Sequence, residues 1–421
     1  MGSKRKSVSL VVLLAFGHGM AFIDRNLSGV IAPLLKLDMA LSDARLGFLD
    51  GPAFALPYVV GMFASLPLTN SRYRFRLLAG CVAIWALGML AFALGQSFGV
   101  LVMARAVVGF GQSAFVPLAL SLIVERSAAQ WRARSIAIFT AAAVIGRGLA
   151  ALLGGAALTL LSRWESLSYL AHWRLLLLVM AAPNLVLILL LLHRDEPSPA
   201  SSPSRPRIFR SLLSALRQRP VLMFAYVLSA SASVLIIQTI GAWAPSVLHR
   251  EQELVPGTAA LVFGSSLLAA SPLGHMLAGT LVDMRIRKLS PMAIVAVALL
   301  LTLPLLWELP RAQSSAVACG LFALTSLVGG TAAVAALAGI PWLLPAPLRD
   351  LGLRLFLAII TLLGFSLGPL MAGVVSDGLG LGGHRLSLAL YQVCVTVALA
   401  GTAAALMANL LWQRGWAAIA R

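Results

Sequence analysis

Charge is what this chain has least of. Only 11% of its 421 residues are Asp, Glu, Lys or Arg, against 60% that are hydrophobic, a balance that excludes a soluble globular domain of this size. Acid is scarcer still: 14 Asp and Glu stand against 32 Lys and Arg, for a net charge of +18. The 3 cysteines, Cys81, Cys319 and Cys394, all fall inside apolar runs, which excludes a disulfide framework or a metal-ligand spacing. Extended polar segments are nearly missing as well. The loops are short, and they carry no His-Asp, paired-carboxylate or Cys/His grouping. A membrane-embedded transferase needs such a nucleophile, base or metal cluster near the interface, so an enzyme is not expected.

What the chain does have is long apolar runs. A spanning helix needs ~20 apolar residues. About twelve such stretches are present, near 8–34, 46–69, 77–95, 99–125, 134–161, 173–192, 219–248, 257–283, 288–308, 312–345, 348–377 and 385–413. The fold class is therefore all-α integral membrane. The first run follows Lys4, Arg5 and Lys6 and so resembles the start of a signal peptide. It is about twice the usual length of such a segment and further spans follow, so it reads as a retained helix. The one extended polar segment, 193–218, is rich in Pro, Ser and Arg and reads as a flexible linker with a short surface helix near Phe209–Leu216. It divides the chain into a bundle over 1–192 and a second over 219–421. Six spans in each suggest two bundles related by an axis along the membrane normal.

The basic excess at first suggests a nucleic-acid partner. On the hairpin map, however, most of the Lys and Arg residues fall in loops on the side of the N-terminus, including Arg72, Arg74, Arg76, Arg126, Arg132, Arg134, Arg285, Arg287 and Lys288. Such a bias in short loops marks the cytoplasmic face. Both termini are then cytoplasmic, and the basic loops answer to anionic lipid rather than nucleic acid; a multi-pass monomer of the plasma (inner) membrane is the expectation.

Local sequence adds a resemblance. The loop after the eighth span reads GTLVDMRIRK from Gly279, with Asp283, Arg285, Arg287 and Lys288. It resembles the Gly-x-x-x-Asp-x-Arg-x-x-Arg loop of major facilitator superfamily transporters. The matching loop after the second span keeps its basic residues but has Thr69 in place of the acid. The fourth span carries Arg105, Gly109 and Gly111, similar to that superfamily's Arg-x-x-x-Gly-x-Gly element, and the eleventh contains Gly364, Gly368, Pro369, Gly373 and Asp377. Small residues at such spacing also serve helix packing. Within the superfamily, FIDRN at Phe22–Asn26, ARAVVGFGQSAF at Ala104–Phe115 and GAWAPSVL at Gly241–Leu248 resemble the Spinster-like branch. That resemblance implies a fold of twelve helices in two six-helix bundles, and export of sphingolipid- or lysophospholipid-like amphiphiles linked to a proton gradient, with no bound cofactor. The branch's fourth-helix Glu is Gln112 here, which bears on the proton step. An organic-anion/proton symporter of the anion–cation symporter type, which also carries Asp-Arg in its first helix, is the alternative, and a transport-dead scaffold on the same fold is another.

A charge in hydrocarbon costs at least a few kcal/mol, so it is rarely kept without a role. Asp24, Arg25, Arg105 and Arg147 all lie within spans, one negative charge against three positive. Rise per residue places Asp24 and Arg105 at similar depth in the outer half of the bilayer. They are expected to pair there as the proton-coupling switch, since a lone buried carboxylate takes up a proton and a guanidinium partner keeps it ionised. Arg147, where similar transporters have a small or polar residue, lies near the midplane between Gly146 and Gly148, which leave room for an anionic head group; a guanidinium fork suits phosphate or carboxylate. His18, two turns before Arg25 on one face, is a second proton carrier or a packing residue. Gln112 is a polar cavity contact. The second half offers mostly apolar walls with Gln238, Trp243 and Tyr391 as substrate contacts, which suits an amphiphile. Asp283, with Arg285 and Arg134, forms the expected gate, because an acid is favoured beside the start of the fifth span.

Overall fold

A computed structural model of the chain describes residues 2–65, 68, 71–163, 171–194, 206–283, 290–380 and 385–419. Among these residues every regular element is a helix, and 12 helical segments are long and apolar enough to cross a membrane. In chain order they are α1 (Gly2–Asp38), α2 (Asp43–Asp50), α3 (Pro52–Ala64), α4 (Arg74–Leu94), α5 (Phe98–Ser113), α6 (Phe115–Arg126), α7 (Arg132–Leu161), α8 (His172–Leu192), α9 (Pro206–Gln218), α10 (Pro220–Glu251), α11 (Pro256–Asp283), α12 (Pro291–Glu308), α13 (Ser315–Leu343), α14 (Arg349–Ile360), α15 (Gly368–Gly378) and α16 (Leu386–Ile419).

Three crossings change helix type or break in mid-span, and in each the chemistry of the chain shows why. The second breaks between α2 and α3 at Asp50–Gly51–Pro52, where Pro52 offers no N–H and Gly51 sits at φ −96°, ψ −97°. The fourth passes from α5 to α6 at Ala114, three residues ahead of Pro117. The eleventh joins α14 to α15 through a π-helical stretch, Thr361–Leu367, ahead of Gly368 and Pro369. Around α5, the two glycines after Arg105 admit neighbouring backbones. A Cβ at Gly109 would lie 2.3 Å from the Phe54 carbonyl oxygen of α3, and one at Gly111 would lie 2.7 Å from the Trp85 nitrogen of α4. Both packings follow the small-residue rule for helices in lipid.

By backbone proximity the described chain forms two compact units. The first comprises Met1–Ser202 with Ala242–Leu268; the second comprises Pro203–Gly241 with Ala269–Arg421. The boundary thus falls within α10 and within α11. In the first unit α1 packs on α7, α3 and α4 on α5, and α4 on α8. In the second, α12 packs on α13 and α16. The surface helix expected at Phe209–Leu216 is longer, Pro206–Gln218, and its Leu212 is buried, with α9 against α14. Residues 195–205 of the linker lie outside the described residues.

Candidate functional site

The first unit gathers the charged residues of α1, α2 and α5. Asp24 and Arg25 are consecutive on α1, ~100° apart around the helix, so they face different neighbours. Asp24, 3% exposed, points towards α8 and α4: Asn184 Nδ2 donates to Asp24 Oδ2 at 2.8 Å, and Trp85 Nε1 donates to Asn184 Oδ1 at 3.1 Å. Among the described residues, Asp24 Oδ1 has no hydrogen-bond partner. Asp24 lines a cavity of about 20 Å³ whose other walls include Ser28, Arg105, Met89 and Phe92.

Arg25 turns the other way. Its Nε and Nη2 donate to Gln112 Oε1 at 3.3 and 3.2 Å, while Gln112 Nε2 donates to the Ala21 carbonyl at 3.0 Å. The guanidinium carbon lies 4.7 Å from the ring centre of Phe22, 4.4 Å from Phe54 and 5.0 Å from Tyr58, an arrangement in which the ring faces attract the cation.

Arg105 does not pair with Asp24. Its Nη2 lies 3.4 Å from Asp50 Oδ1, its Nε donates to the Leu49 carbonyl at 3.0 Å, and its Nη1 to the Arg25 carbonyl at 3.5 Å. The break at Gly51–Pro52 is the reason. A helix end leaves carbonyls without intrahelical donors, and Arg105 reaches into the last turn of α2, taking the Leu49 carbonyl and the side chain next to it. Asp50 also accepts from the Ser28 hydroxyl. The tally of one acid against three cations is therefore corrected: Asp50 is a second acid within the spans.

Two other expected residues sit elsewhere. The His18 ring stacks on Phe139 at 4.3 Å, with Nδ1 2.9 Å from the Phe139 carbonyl, so it packs α1 on α7. Arg147 is half-buried on α7. Its flanking glycines do not make room around it, contrary to expectation; they admit other helices. A Cβ at Gly146 would lie 2.4 Å from the Gly19 carbonyl oxygen, and one at Gly148 would lie 2.6 Å from Leu268 Cγ.

Of the second-half residues, Trp243 is buried and belongs to the first unit, lining a cavity with Ser28 and Asp50. Gln238 is half-buried in the second unit. The Tyr391 ring meets Trp307 edge-on at 5.6 Å, and Trp307 is half-exposed. Asp283 is exposed at the end of α11, and Arg134 is exposed with its guanidinium carbon 4.6 Å over the Trp131 ring. Arg285 and Thr69 lie outside the described residues.

Sequence reasoning passed over Asp50, Ser28, Asn184 and Trp85. Asp-Gly-Pro inside an apolar run was a legible breaker signal for the first, and Asn184 is an amide within the otherwise apolar run that follows Arg174. Nothing local marks Trp85. It also passed over a cluster at the far end of the first unit. There Asp43, 1% exposed, accepts from Arg250 Nη1 and Nη2, each at 2.9 Å, and from Lys36 Nζ at 2.5 Å.

Twelve crossings, a broken second span bridged by an arginine, and buried charges around a small cavity fit a transporter. Residues 14–349 match the model of the Major Facilitator Superfamily, and the chain belongs to that family. It is a multi-pass membrane protein and a secondary transporter, similar in sequence to the Spinster-like branch. The chain is 26% identical to an "MFS-type efflux pump" of Mycolicibacterium smegmatis over 423 residues, 97% of this chain and 94% of that one. It is 26% identical to human "Protein spinster homolog 1" over 406 residues, 90% of this chain and 74% of that one. The crystal structure of a bacterial homolog of the human lysosomal transporter Spinster, inward-facing and unoccupied, superposes with a TM-score of 0.82 at 22% identity, covering 96% of each chain.

Proposed function

We propose that the protein moves an anionic or amphiphilic organic substrate, such as a lysolipid or sphingolipid, by proton-coupled alternating access. One observation carries this reading: Asp24 is buried with one carboxylate oxygen unpartnered, on a cavity wall that it shares with Arg105. A carboxylate there changes charge at low cost in protein rearrangement, and each change alters the balance with the neighbouring guanidinium groups. Arg25, Arg105 and Arg147 exceed Asp24 and Asp50 by one positive charge, which an anionic head group offsets. The spans of the second half are mostly apolar, with their charged residues near the span ends apart from His275, which suits a hydrocarbon tail. The Spinster-like branch supports the amphiphile class. The same reading takes the termini as cytoplasmic, the location as the plasma (inner) membrane, the working form as a monomer, and Asp283 with Arg134 and Arg285 as a gate on the terminal side.

The experiment is uptake of a panel of anionic, neutral and cationic amphiphiles into proteoliposomes under an imposed pH gradient. Transport of anionic members that follows the gradient, and that loses the dependence in Asp24→Asn, is expected. Gradient dependence unchanged in Asp24→Asn overturns the assignment of the proton to Asp24.

A further inference from the structure

Ser28 joins two carboxylates that face different cavities. It lies one turn beyond Asp24 on α1, so the two share a face of that helix. Its hydroxyl donates to Asp50 Oδ1 and lies 3.1 Å from the Arg25 carbonyl. On one side of it is the 20 Å³ cavity, with Asp24 and Arg105 on its walls and the unpartnered Oδ1 on Asp24. That volume suits one water, and Asp24, Ser28 and Arg105 are polar partners for it among otherwise apolar walls. On the other side, Asp50 lines the cavity shared with Trp243 of α10, and its side chain is 21% exposed against 4% for Arg105 and 3% for Asp24.

We propose that Asp50, Ser28 and one water in the Asp24 cavity form a proton relay, with Asp50 the end that meets solvent and Asp24 the end that stores the proton. This rests on the reading of Asp24 as proton carrier. When Asp50 is protonated, its O–H donates to Ser28 Oγ, Ser28 donates to the water, and the water donates to Asp24 Oδ1. Moving one proton along each bond leaves Asp24 protonated and Asp50 ionised, with a hydroxyl and a water as before. The charged groups facing this path are Arg105 from α5 and Arg25 from α1; the groups from α4, α8 and α10 are the neutral Trp85, Asn184 and Trp243. Arg105 keeps the Leu49 and Arg25 carbonyls while Asp50 is protonated, and regains its ion pair when the proton has passed.

The test is a pH jump on the full chain in lipid vesicles, with the protonated-carboxyl stretch followed by time-resolved infrared difference spectroscopy and no substrate present. The band lost in Asp24→Asn identifies Asp24. Ser28→Ala is expected to slow its rise on the order of tenfold or more with the final amplitude kept, Ser28→Thr to restore the rate, and Asp50→Asn to slow it likewise. Wild-type rates in both Ser28→Ala and Asp50→Asn overturn the relay and leave Asp24 as carrier. Slowing that Ser28→Thr does not relieve marks a packing role and overturns it as well. If Asp24→Asn loses no band, the carrier assignment fails first and the relay with it.

Discussion

Gln112 shows how one atom changes the electrostatics of a buried cluster. Its Oε1 accepts twice from Arg25 and its Nε2 donates to the Ala21 carbonyl, so the amide satisfies both groups without cancelling the cation. A carboxylate of the same shape would form an ion pair and remove the second donor to the Ala21 carbonyl. Gln112→Glu is therefore expected to weaken binding of an anionic amphiphile about tenfold, in line with charge-assisted hydrogen bonds of roughly 1.5–3 kcal/mol, and to leave a neutral analogue of equal chain length unaffected. Titration of both ligands against the protein in nanodiscs measures this; equal weakening for the two contradicts it. At this scale the sequence was partly legible. Asp24, Arg25, Arg105 and Gln112 stand out because charge and amide groups are rare in apolar spans. Their partners were not legible, because Asn184 is 160 residues from Asp24 and only packing brings such groups together.

At the scale of elements, the spans break where proline removes a donor and approach where glycine removes a side chain. The break at Asp50–Gly51–Pro52 exposes the carbonyl and the carboxylate that Arg105 takes up, so the second and fourth spans are tied by charge as well as by packing. Gly109 lets α5 meet the Phe54 carbonyl of α3 one turn further on. Gly109→Val is expected to lower stability by about 1–3 kcal/mol through overpacking, read as a fall in the temperature of thermal unfolding in detergent. Gly80→Ala on α4, with nothing within 4 Å of its Cβ, is the control and is expected to stay within about 0.5 kcal/mol. Similar falls in both variants would remove close approach as the cause.

For the molecule as a transporter, the Asp43 cluster ties three segments of the first unit: the end of α1 through Lys36, the start of α2 through Asp43, and the end of α10 through Arg250. The earlier part of α10, up to Gly241, belongs to the second unit, and the bidentate pair restrains the end of that helix. Removing the carboxylate leaves two cations around a buried position, a loss of roughly 3–5 kcal/mol when one partner of a buried pair is deleted. Asp43→Asn is accordingly expected to raise the exposure of the α10 segment beside it. In a background with Cys81, Cys319 and Cys394 changed to serine, a cysteine placed at the buried Ser246 should react with an impermeant maleimide at least about tenfold faster in the Asp43→Asn variant. An unchanged rate shows that the pair does not restrain α10.

Hydropathy alone determined that the chain crosses a membrane about twelve times, since each crossing needs its own apolar run of bilayer length. It also marked Asp24, Arg25 and Arg105 as buried charges, since a charge inside such a run has no water to meet. Only the tertiary structure decided which charges share a partner. Hydropathy averages over a window wider than Asp-Gly-Pro, so the helix break at Asp50 disappears in it, and the break is what turns Arg105 away from Asp24. Pairing of groups on separate helices depends on rotation about each axis and on close backbone approach, and neither is written in any single segment.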